Sequence, residues 1–463
     1  MSEISVVTFP LITEKWQEDV LSKRFEVCRN IYNAMIGQEF KKYRKMISTD
    51  TYKNSVEIIY SYYRETDEKE KKRIKASAEY KEALKVQREL MKENGFSEYD
   101  FKSEAIRASK HFEGLIPTTV ASMSIGTPMW KAFEKLFFGN GNTVHFKKYD
   151  SWTSILSDNK SGIRIVSEDN KTTKRMDCNQ NYYVLLTGKV GKNLKMKLKV
   201  DRKDLYLLEM MERDIHTTRI TRKKVKGKYK YYVQLAVSGA PAIKYLPNGE
   251  RKHNIGEKKL GIYIDTTCIT IYDGDTITTQ SIKMENDIKE RIAEINRYLD
   301  ASRRATNPDN FNENGTIKKG IVQNGLRMPL TWTYSNSYKR AVAEKANLLR
   351  RQKEQRKIRA NAIANDIMSK GCEVCINDYP FQFAAMKKKF QEGEEKNENG
   401  RYKKKAKAGK TIGNNGPAMI VTILDNKLKN NGFSGVKKVK LKDVDYTRPE
   451  YRKVSAAELY ANL

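Results

Sequence analysis

A short hydrophobic segment limits the fold of this chain more than any other feature of its sequence. Residues 260–264 read Leu-Gly-Ile-Tyr-Ile, a second apolar run covers 268–272, and Asp-Gly-Asp at 273–275 ends it. Apolar runs of this length, bounded by turn residues, predict a buried strand followed at once by a second strand. Tyr263 and Asp265 lie two positions apart, so their side chains face the same side of the first strand. The segment therefore predicts a sheet whose buried strand carries a tyrosine and a carboxylate on one face.

The balance of charges indicates which class of molecule the protein binds. The chain has 463 residues, with 89 Lys and Arg against 57 Asp and Glu, and a net charge of +32. Phosphate neutralisation and counterion release dominate nucleic-acid affinity, so this excess favours a polyanionic partner. Membrane binding is a weaker alternative, because no apolar run approaches the ~18 residues of a spanning helix. No signal peptide is visible either, since residues 1–4 open straight into a strand-like stretch.

The cysteines form no recognisable disulfide or metal framework. They are five in number and scattered, which argues for reduced thiols in a cytoplasm. Cys372 and Cys375 have the spacing of zinc ligands, but a structural zinc site needs four ligands and no second pair follows. We expect these two residues to lie in or beside a buried strand, and we expect no zinc.

The period of the apolar residues changes near residue 140. Residues 14–45 and 50–135 have helical spacing, with the dense Lys and Glu pairs of solvated helix faces. The period then becomes two, and short strands are predicted at 146–149, 162–166, 182–186, 196–200 and 219–235. A cluster of short strands suggests a β-barrel.

The last of these segments, 219–235, is predicted to be a long basic hairpin that turns near Gly227. Its alternating Lys or Arg and Tyr residues suit a groove that holds phosphates and stacks on bases or sugars. The alternative is an amphipathic strand with a solvated basic face. A long basic helix from 335 to 369 has the same two interpretations.

Residues 261–265 resemble the first RuvC motif of the TnpB transposon proteins and of the related type V CRISPR effectors. That motif reads Gly-Ile-Asp in the family, and its carboxylate anchors two divalent cations for phosphodiester hydrolysis. Tyr263 fills the aspartate position here, and its phenol, with a pKa near ~10, is neutral at pH 7. Asp265 either substitutes as a metal ligand or is a turn carboxylate, and we favour the second interpretation.

The second RuvC strand of the family corresponds to residues 374–379. The family has a glutamate near its end, followed by a Lys-rich helix that corresponds to 381–389. Asn377 stands at the glutamate position, and an amide is a poor ligand for magnesium. Asp378 is one residue out of phase and would face the opposite side of the strand. We therefore expect the degenerate positions Tyr263 and Asn377 to hold no magnesium.

The resemblance covers nearly the whole chain and implies an α+β multidomain fold. It implies a β-barrel wedge domain from residues 1–20 and 140–245, and a helical recognition domain from 21–139. A linker at 246–258 precedes a degenerate, truncated RuvC-like α/β domain at 259–463 that lacks the C-terminal zinc module.

The closest description is a TnpB-like nuclease-dead repressor. The resemblance implies an RNA-guided protein, one per guide RNA, that binds double-stranded DNA beside a short adjacent motif and represses transcription without cutting. It also implies a bacterial, nucleoid-associated protein in the cytoplasm, with no membrane partner and no small-molecule substrate. One alternative is an active RNA-guided DNA endonuclease of the TnpB type that uses Asp265 and Asp378. Another is a transposon remnant or a basic RNA-binding protein with a different task.

The resemblance also suggests which residues contact nucleic acid. The hairpin is expected to hold guide-RNA phosphates. The long helix and the insertion before it, at residues 302–319, are expected to line the guide–target heteroduplex. The candidate contacts are Lys147, Lys148, Arg222, Lys223, Lys224, Lys226, Lys228, Tyr229, Arg303, Arg304, Lys339, Arg340, Arg350, Arg351, Lys387 and Lys388.

Overall fold

In a computed structural model of the protein, the chain forms two compact units. The first unit contains residues 1–224 and 229–242, and the second contains 225–228 and 243–463. The residues that the structure describes are 3–65, 67–112, 114–138, 141, 143–188, 193–246, 248–283, 287–320, 322–323, 326–328, 330–378, 408–441, 444 and 450–463.

Helices occupy the first half of the first unit. The predicted helix at 14–45 is confirmed: Phe25, Ile31 and Met35 recur at helical spacing and are almost fully buried. Glu14 and Gln17 form a capping box at its start. The helices of this unit are α1 (Lys15–Ser48), α2 (Asp50–Arg64), α3 (Glu68–Ala76), α4 (Ala78–Glu93), α5 (Glu98–Ser109), α6 (Thr118–Ala121), α7 (Thr127–Phe138) and α8 (Leu205–Met211), with a π-helical turn at Ser122–Gly126 between α6 and α7.

A seven-stranded antiparallel sheet forms the rest of the first unit. Its strands are β1 (Ile4–Ile12), β2 (Ser154–Asp158), β3 (Ile163–Val166), β4 (Tyr183–Leu186), β5 (Leu194–Leu198), β6 (Ile215–Val225) and β7 (Lys228–Ser238). They lie in the order β2-β6-β7-β1-β5-β4-β3. The Thr218 hydroxyl in β6 donates to the carbonyl oxygen of Ile163 in β3 at 2.6 Å, so the two ends of the sheet nearly meet.

The long basic hairpin predicted at 219–235 is confirmed as β6 and β7. Lys226 and Gly227 at its tip have φ angles of 49° and 81°. Two consecutive positive φ angles match the twist of a tight hairpin, and glycine adopts them without steric cost.

The strand predicted at 146–149 is wrong. These residues form an irregular loop, because side chains of α1 rather than a neighbouring strand take its backbone hydrogen bonds. Asn33 bonds both the N–H and the carbonyl oxygen of Lys147, at 2.7 and 2.9 Å.

The second unit is built on a mixed five-stranded sheet with the order β10-β9-β8-β13-β14. The strands are β8 (Lys258–Ile264), β9 (Cys268–Tyr272), β10 (Ile277–Ser281), β13 (Gly371–Asn377) and β14 (Val436–Val439), and a separate small pair is β11 (Val322–Gln323) with β12 (Leu326–Arg327). β8, β9 and β10 pair antiparallel, whereas β8, β13 and β14 pair parallel. The helices are α9 (Asp287–Thr306), α10 (Asn336–Lys370), α11 (Ala408–Asn415), α12 (Pro417–Asn430) and α13 (Tyr451–Ala461).

Strand β8 is buried on both faces, as its sequence predicts. Leu260, Ile262 and Ile264 pack into a hydrophobic cluster with α10 and α12. The alternate residues face α13, where Tyr263 belongs to a second cluster. This alternation places positions 263 and 265 beneath one helix.

Candidate functional site

Tyr263 lies inside an apolar cluster rather than at an open site. Its side chain is 2% exposed and packs with Cys375, Ala456 and Leu459. The ring of Tyr451 meets it edge-on, with the centroids 5.8 Å apart. The position at which the resemblance expects a catalytic aspartate therefore belongs to a hydrophobic core.

Gly261 explains how α13 approaches β8 so closely. A Cβ atom at this position would collide with the carbonyl oxygen of Ala456 and the backbone nitrogen of Tyr460. Because glycine has no Cβ, the backbone of the helix rests directly on the strand. The helix therefore covers the face of the sheet that carries positions 261, 263 and 265.

Asp265 has both carboxylate oxygens engaged by protein donors. Oδ1 accepts the backbone N–H groups of Thr267 and Cys268 at 2.6 and 2.8 Å. Oδ2 lies 2.8 Å from Nε and 2.7 Å from Nη2 of Arg452. Asp265 thus closes the turn between β8 and β9, as the favoured interpretation of the sequence predicts. Arg452 supplies the positive charge that pairs with Oδ2.

The pKa of Asp265 reflects these contacts. Burial opposes ionisation and would raise the pKa, but the Thr267 and Cys268 N–H groups and the Arg452 guanidinium outweigh it. The pKa of the carboxyl group is therefore lowered, and Asp265 is an anion paired with a guanidinium at neutral pH.

Asn377 joins two strands through its side-chain amide. Its Oδ1 accepts the N–H of Ile264 at 2.8 Å, and its Nδ2 donates to the carbonyl oxygen of Ile264 at 2.9 Å. The side chain is thereby used as an additional rung between β13 and β8. A carboxylate here would have no hydrogen to donate to the Ile264 carbonyl.

The remaining candidates for metal ligation are separated by the fold. Asp378 is exposed and follows the end of β13. Cys372 and Cys375 contribute to different hydrophobic clusters, because they lie on opposite faces of the strand. Within the described parts of the chain, no three His, Cys, Asp or Glu side chains are grouped to hold a metal ion. A buried phenol, an amide that bridges two strands and a carboxylate paired with arginine do not fit a two-metal site.

The structure places Arg222 in the interior rather than on the predicted basic face of the hairpin. Its guanidinium carbon lies 4.6 Å from the ring centroids of both Phe25 and Tyr229. Its Nε donates to the carbonyl oxygen of Trp152, and its Nη2 lies 3.3 Å from the carboxylate of Asp150. Both side chains are therefore packed against neighbours, with Arg222 buried and Tyr229 half-buried.

The other hairpin candidates lie at the surface. Lys224 pairs with Asp150 at 3.3 Å. The exposed candidates of the hairpin are Lys223, Lys224, Lys226 and Lys228, and Lys147 and Lys148 are exposed in the loop at 146–149.

Two arginines of the insertion stabilise that insertion. Arg303 and Arg304 both pair with Asp300, at 2.9 and 2.8 Å. Their guanidinium groups also lie over the ring of Phe311, at 5.7 and 4.9 Å from its centroid. Arg304 in addition donates to the carbonyl oxygen of Gly315. Arg303 and Arg304, which are predicted to contact a heteroduplex, thus pair with groups of the same chain, and Arg304 remains exposed.

The candidates on α10 differ in their surroundings. Lys339, Arg340 and Arg351 are exposed, whereas Arg350 is half-buried and pairs with Glu354. Lys387 and Lys388 lie outside the described residues.

Sequence reasoning does not find Arg452 and Tyr451, which form the contacts around Asp265 and Tyr263. Arg452 is separated from Asp265 by 187 positions, and no local pattern links them. The one local signal is the amphipathic segment at 451–461, which indicates a helix but not what it covers.

No family model matches the chain, and no curated protein matches it. Similar solved structures include a Cas12f1–sgRNA–target DNA complex, at 11% identity and a TM-score of 0.43, covering 98% of this chain and 94% of that one. A CRISPR-Cas12f ternary complex is similar at 12% identity and a TM-score of 0.23, covering 97% and 93% of the two chains. A Cas12i–crRNA–dsDNA complex is similar at 10% identity and a TM-score of 0.28, covering 92% and 56%. With TM-scores below 0.5, these likenesses assign neither an activity nor a partner to this chain.

None of the helices in the described residues is long and apolar enough to span a membrane.

Proposed function

We propose that this protein binds a guide RNA and, through it, a matching site in double-stranded DNA next to a short adjacent motif. It holds the DNA without cutting it. Transcription is repressed because the bound complex occupies a promoter that contains the site.

The contacts of Asp265 carry the part of the proposal that says the protein does not cut DNA. A two-metal phosphodiesterase needs anionic oxygens that are open to cations about 4 Å apart. Asp265 instead accepts two backbone N–H groups and the guanidinium of Arg452. Tyr263 and Asn377 stand at the two positions where the resemblance expects carboxylates, and they are committed to core packing and to a strand–strand bridge.

Two further observations support nucleic acid as the partner. The net charge of +32 gives a strong, non-specific attraction to phosphates. The mixed sheet, with an antiparallel β10-β9-β8 half and a parallel β8-β13-β14 half, is also the arrangement expected of an RNase H-like domain. The sequence resemblance to RNA-guided proteins agrees with both.

In this proposal base pairing supplies specificity, and the protein supplies shape recognition and backbone contacts. Exposed lysines of the hairpin, such as Lys226 and Lys228, hold phosphates of the RNA. Exposed cations on α10, such as Lys339 and Arg351, contact the backbone of the heteroduplex.

The test uses the full chain purified together with the RNA that it binds in cells. The RNA is sequenced to define the matching DNA, which is then incubated with the complex and Mg²⁺. Binding and strand integrity are read from the same samples. We expect a tight complex and intact DNA.

Two outcomes would contradict the proposal. If no discrete RNA stays bound to the purified chain in moderate salt, the protein has no guide RNA. An intact RNA-guided protein retains its RNA under that condition. Cut DNA would favour the endonuclease alternative, and Asp265→Asn with Asp378→Asn should then abolish cutting. In a binder, the same double variant keeps its DNA affinity.

A further inference from the structure

The loop between α7 and β2 presents a continuous exposed run of aromatic and basic side chains. All five side chains at 145–149, His-Phe-Lys-Lys-Tyr, are exposed, although Val144 before them and Trp152 after them are 4% and 7% exposed. Phe146 is 59% exposed and Tyr149 is 78% exposed. Core packing therefore explains the ends of the loop and leaves its two central rings unexplained.

Side chains of α1 fix the backbone of this loop. Asn33 bonds both polar groups of Lys147, and Nη1 of Arg29 donates to the same carbonyl oxygen at 3.3 Å. The N–H of Asp150 donates to Glu26 at 2.9 Å, and Asp150 has a φ of 63°. A loop held in this way loses little conformational entropy when it binds a ligand.

The charges around the loop select an anionic ligand. The two acidic groups at its base are already paired: Glu26 with Arg29 at 2.6 Å, and Asp150 with Lys224 at 3.3 Å. Lys147 and Lys148 lie between the two rings in the sequence and are exposed, and the ammonium of Lys147 lies 5.4 Å from the ring centroid of Tyr32. Arg222 also lies 3.4 Å from Glu26 and 3.3 Å from Asp150, so cations outnumber the two acids around this loop. The guanidinium carbon of Arg29 lies 5.9 Å from the ring centroid of Tyr149.

We propose that residues 145–149 bind unpaired nucleotides, by stacking bases on Phe146 and Tyr149 while Lys147 and Lys148 contact the flanking phosphates. Aromatic rings interleaved with cations match a single strand, whose bases offer π-faces and whose backbone carries charge. A paired duplex hides those faces, so it cannot use the rings. This inference rests on the proposed function and adds a defined contact to it.

The test replaces the rings without changing charge. The full chain, freed of its own RNA by a high-salt wash, is titrated with fluorescent oligo(U), oligo(dT) and a matched duplex. In Phe146→Leu with Tyr149→Leu, we expect the affinity for single strands to fall about tenfold for each ring removed. The salt dependence should not change, because both lysines remain. The RNA and DNA arms identify which strand the loop prefers.

Three variants serve as controls. Tyr99→Leu removes an exposed ring on α5, 77% exposed, and should leave the affinity unchanged. Phe146→Trp with Tyr149→Trp keeps the stacking surfaces and should restore affinity. Lys147→Gln with Lys148→Gln should flatten the salt dependence by about 0.7 for each phosphate that the protein no longer neutralises.

The outcomes separate this inference from the proposed function. If the wild-type chain binds no oligonucleotide, the proposed function fails. If it binds and the double leucine variant, with an unchanged melting temperature, binds equally well, the loop does not stack bases. An equal loss of affinity for duplex and single strand would likewise overturn the stacking of unpaired nucleotides.

Discussion

Asp265 carries a buried negative charge, and the fold neutralises it with Arg452, which lies 187 positions away in the sequence. The sequence identifies the unusual residues, because Tyr263 and Asn377 stand where the motifs that these segments resemble have carboxylates. It does not identify their new partners. Arg452 and the Ile264 peptide group become neighbours only when β8, β13 and α13 assemble.

Replacing Arg452 by alanine should loosen α13. The substitution leaves the side chain of Asp265, which is 10% exposed, without its counter-ion. Breaking a partly buried pair of this kind should cost roughly 2 kcal/mol, between the exposed and fully buried cases. Hydrogen exchange of residues 451–461 measures the loss of protection. Lys453→Ala, which removes a more exposed cation from the same helix, is the matched control and should change little.

The same pair predicts a dependence on pH. The folded-state pKa of Asp265 is lowered, so its contribution to stability is present above the ordinary aspartate range and is lost as pH falls through the lowered value. We expect the difference in melting temperature between the wild-type chain and Asp265→Asn to shrink below about pH 4. A difference that stays constant into acid would show that the ionised form is not the stabilising one.

Asn377→Asp should destabilise the sheet, although it replaces only the side-chain NH₂ group by an oxygen. The aspartate cannot donate to the Ile264 carbonyl, and its charge faces that oxygen. Leaving a buried carbonyl unsatisfied costs about 1–3 kcal/mol. Thermal unfolding measures the loss of stability, and Asp378→Asn, at the exposed neighbouring position, is the control. Increased stability of Asn377→Asp would contradict the bridging role.

At the scale of elements, most helices and strands could be predicted because their apolar periods are long and regular. The hairpin β6–β7 and the helices α1 and α10 are examples. Residues 146–149 could not be predicted, because their backbone partners are the side chains of Asn33 and Arg29 on α1. The covering role of α13 could not be predicted for a related reason. The close packing of this helix on β8 depends on Gly261, and the residues that contact Gly261, Ala456 and Tyr460, lie far away in the sequence.

Gly261→Ala should displace α13 from β8. The added methyl group meets helix backbone at Ala456 and Tyr460, which cannot move aside as a flexible side chain can. We expect a cost of roughly 3 kcal/mol or loss of docking, seen as faster proteolysis within 451–461. Gly413→Ala on α11, where the added group meets nothing within 4 Å, should be tolerated and serves as the control.

At the scale of the whole molecule, the charge balance predicts the class of partner but not its sequence. The +32 net charge follows directly from composition. Under the proposed function, the guide and the target are sequences of other molecules, so nothing in this chain specifies them. Which cations remain available also depends on the fold, as buried Arg222 and exposed Lys226 demonstrate.

Affinity for nucleic acid should therefore fall steeply with salt. Lys226→Gln with Lys228→Gln should reduce the slope of log affinity against log salt by about 0.7–0.9 for each phosphate that loses its lysine. The slope is obtained from RNA titrations at several salt concentrations. Lys15→Gln, which removes an exposed cation already paired with Asp19, should leave the slope unchanged. Equal slopes for all three proteins would exclude the hairpin tip from the interface.

The packing of α13 on β8 also makes the substitutions that a metal site would require depend on one another. An aspartate at 263 would place a charge in an apolar cluster under the ring of Tyr451, while Arg452 still neutralised its neighbour at 265. A carboxylate at 377 would break the bridge to Ile264. Each step toward a metal site is thus unfavourable until the others have occurred. A metal site at this place in the fold therefore cannot be built through single, independently tolerated substitutions.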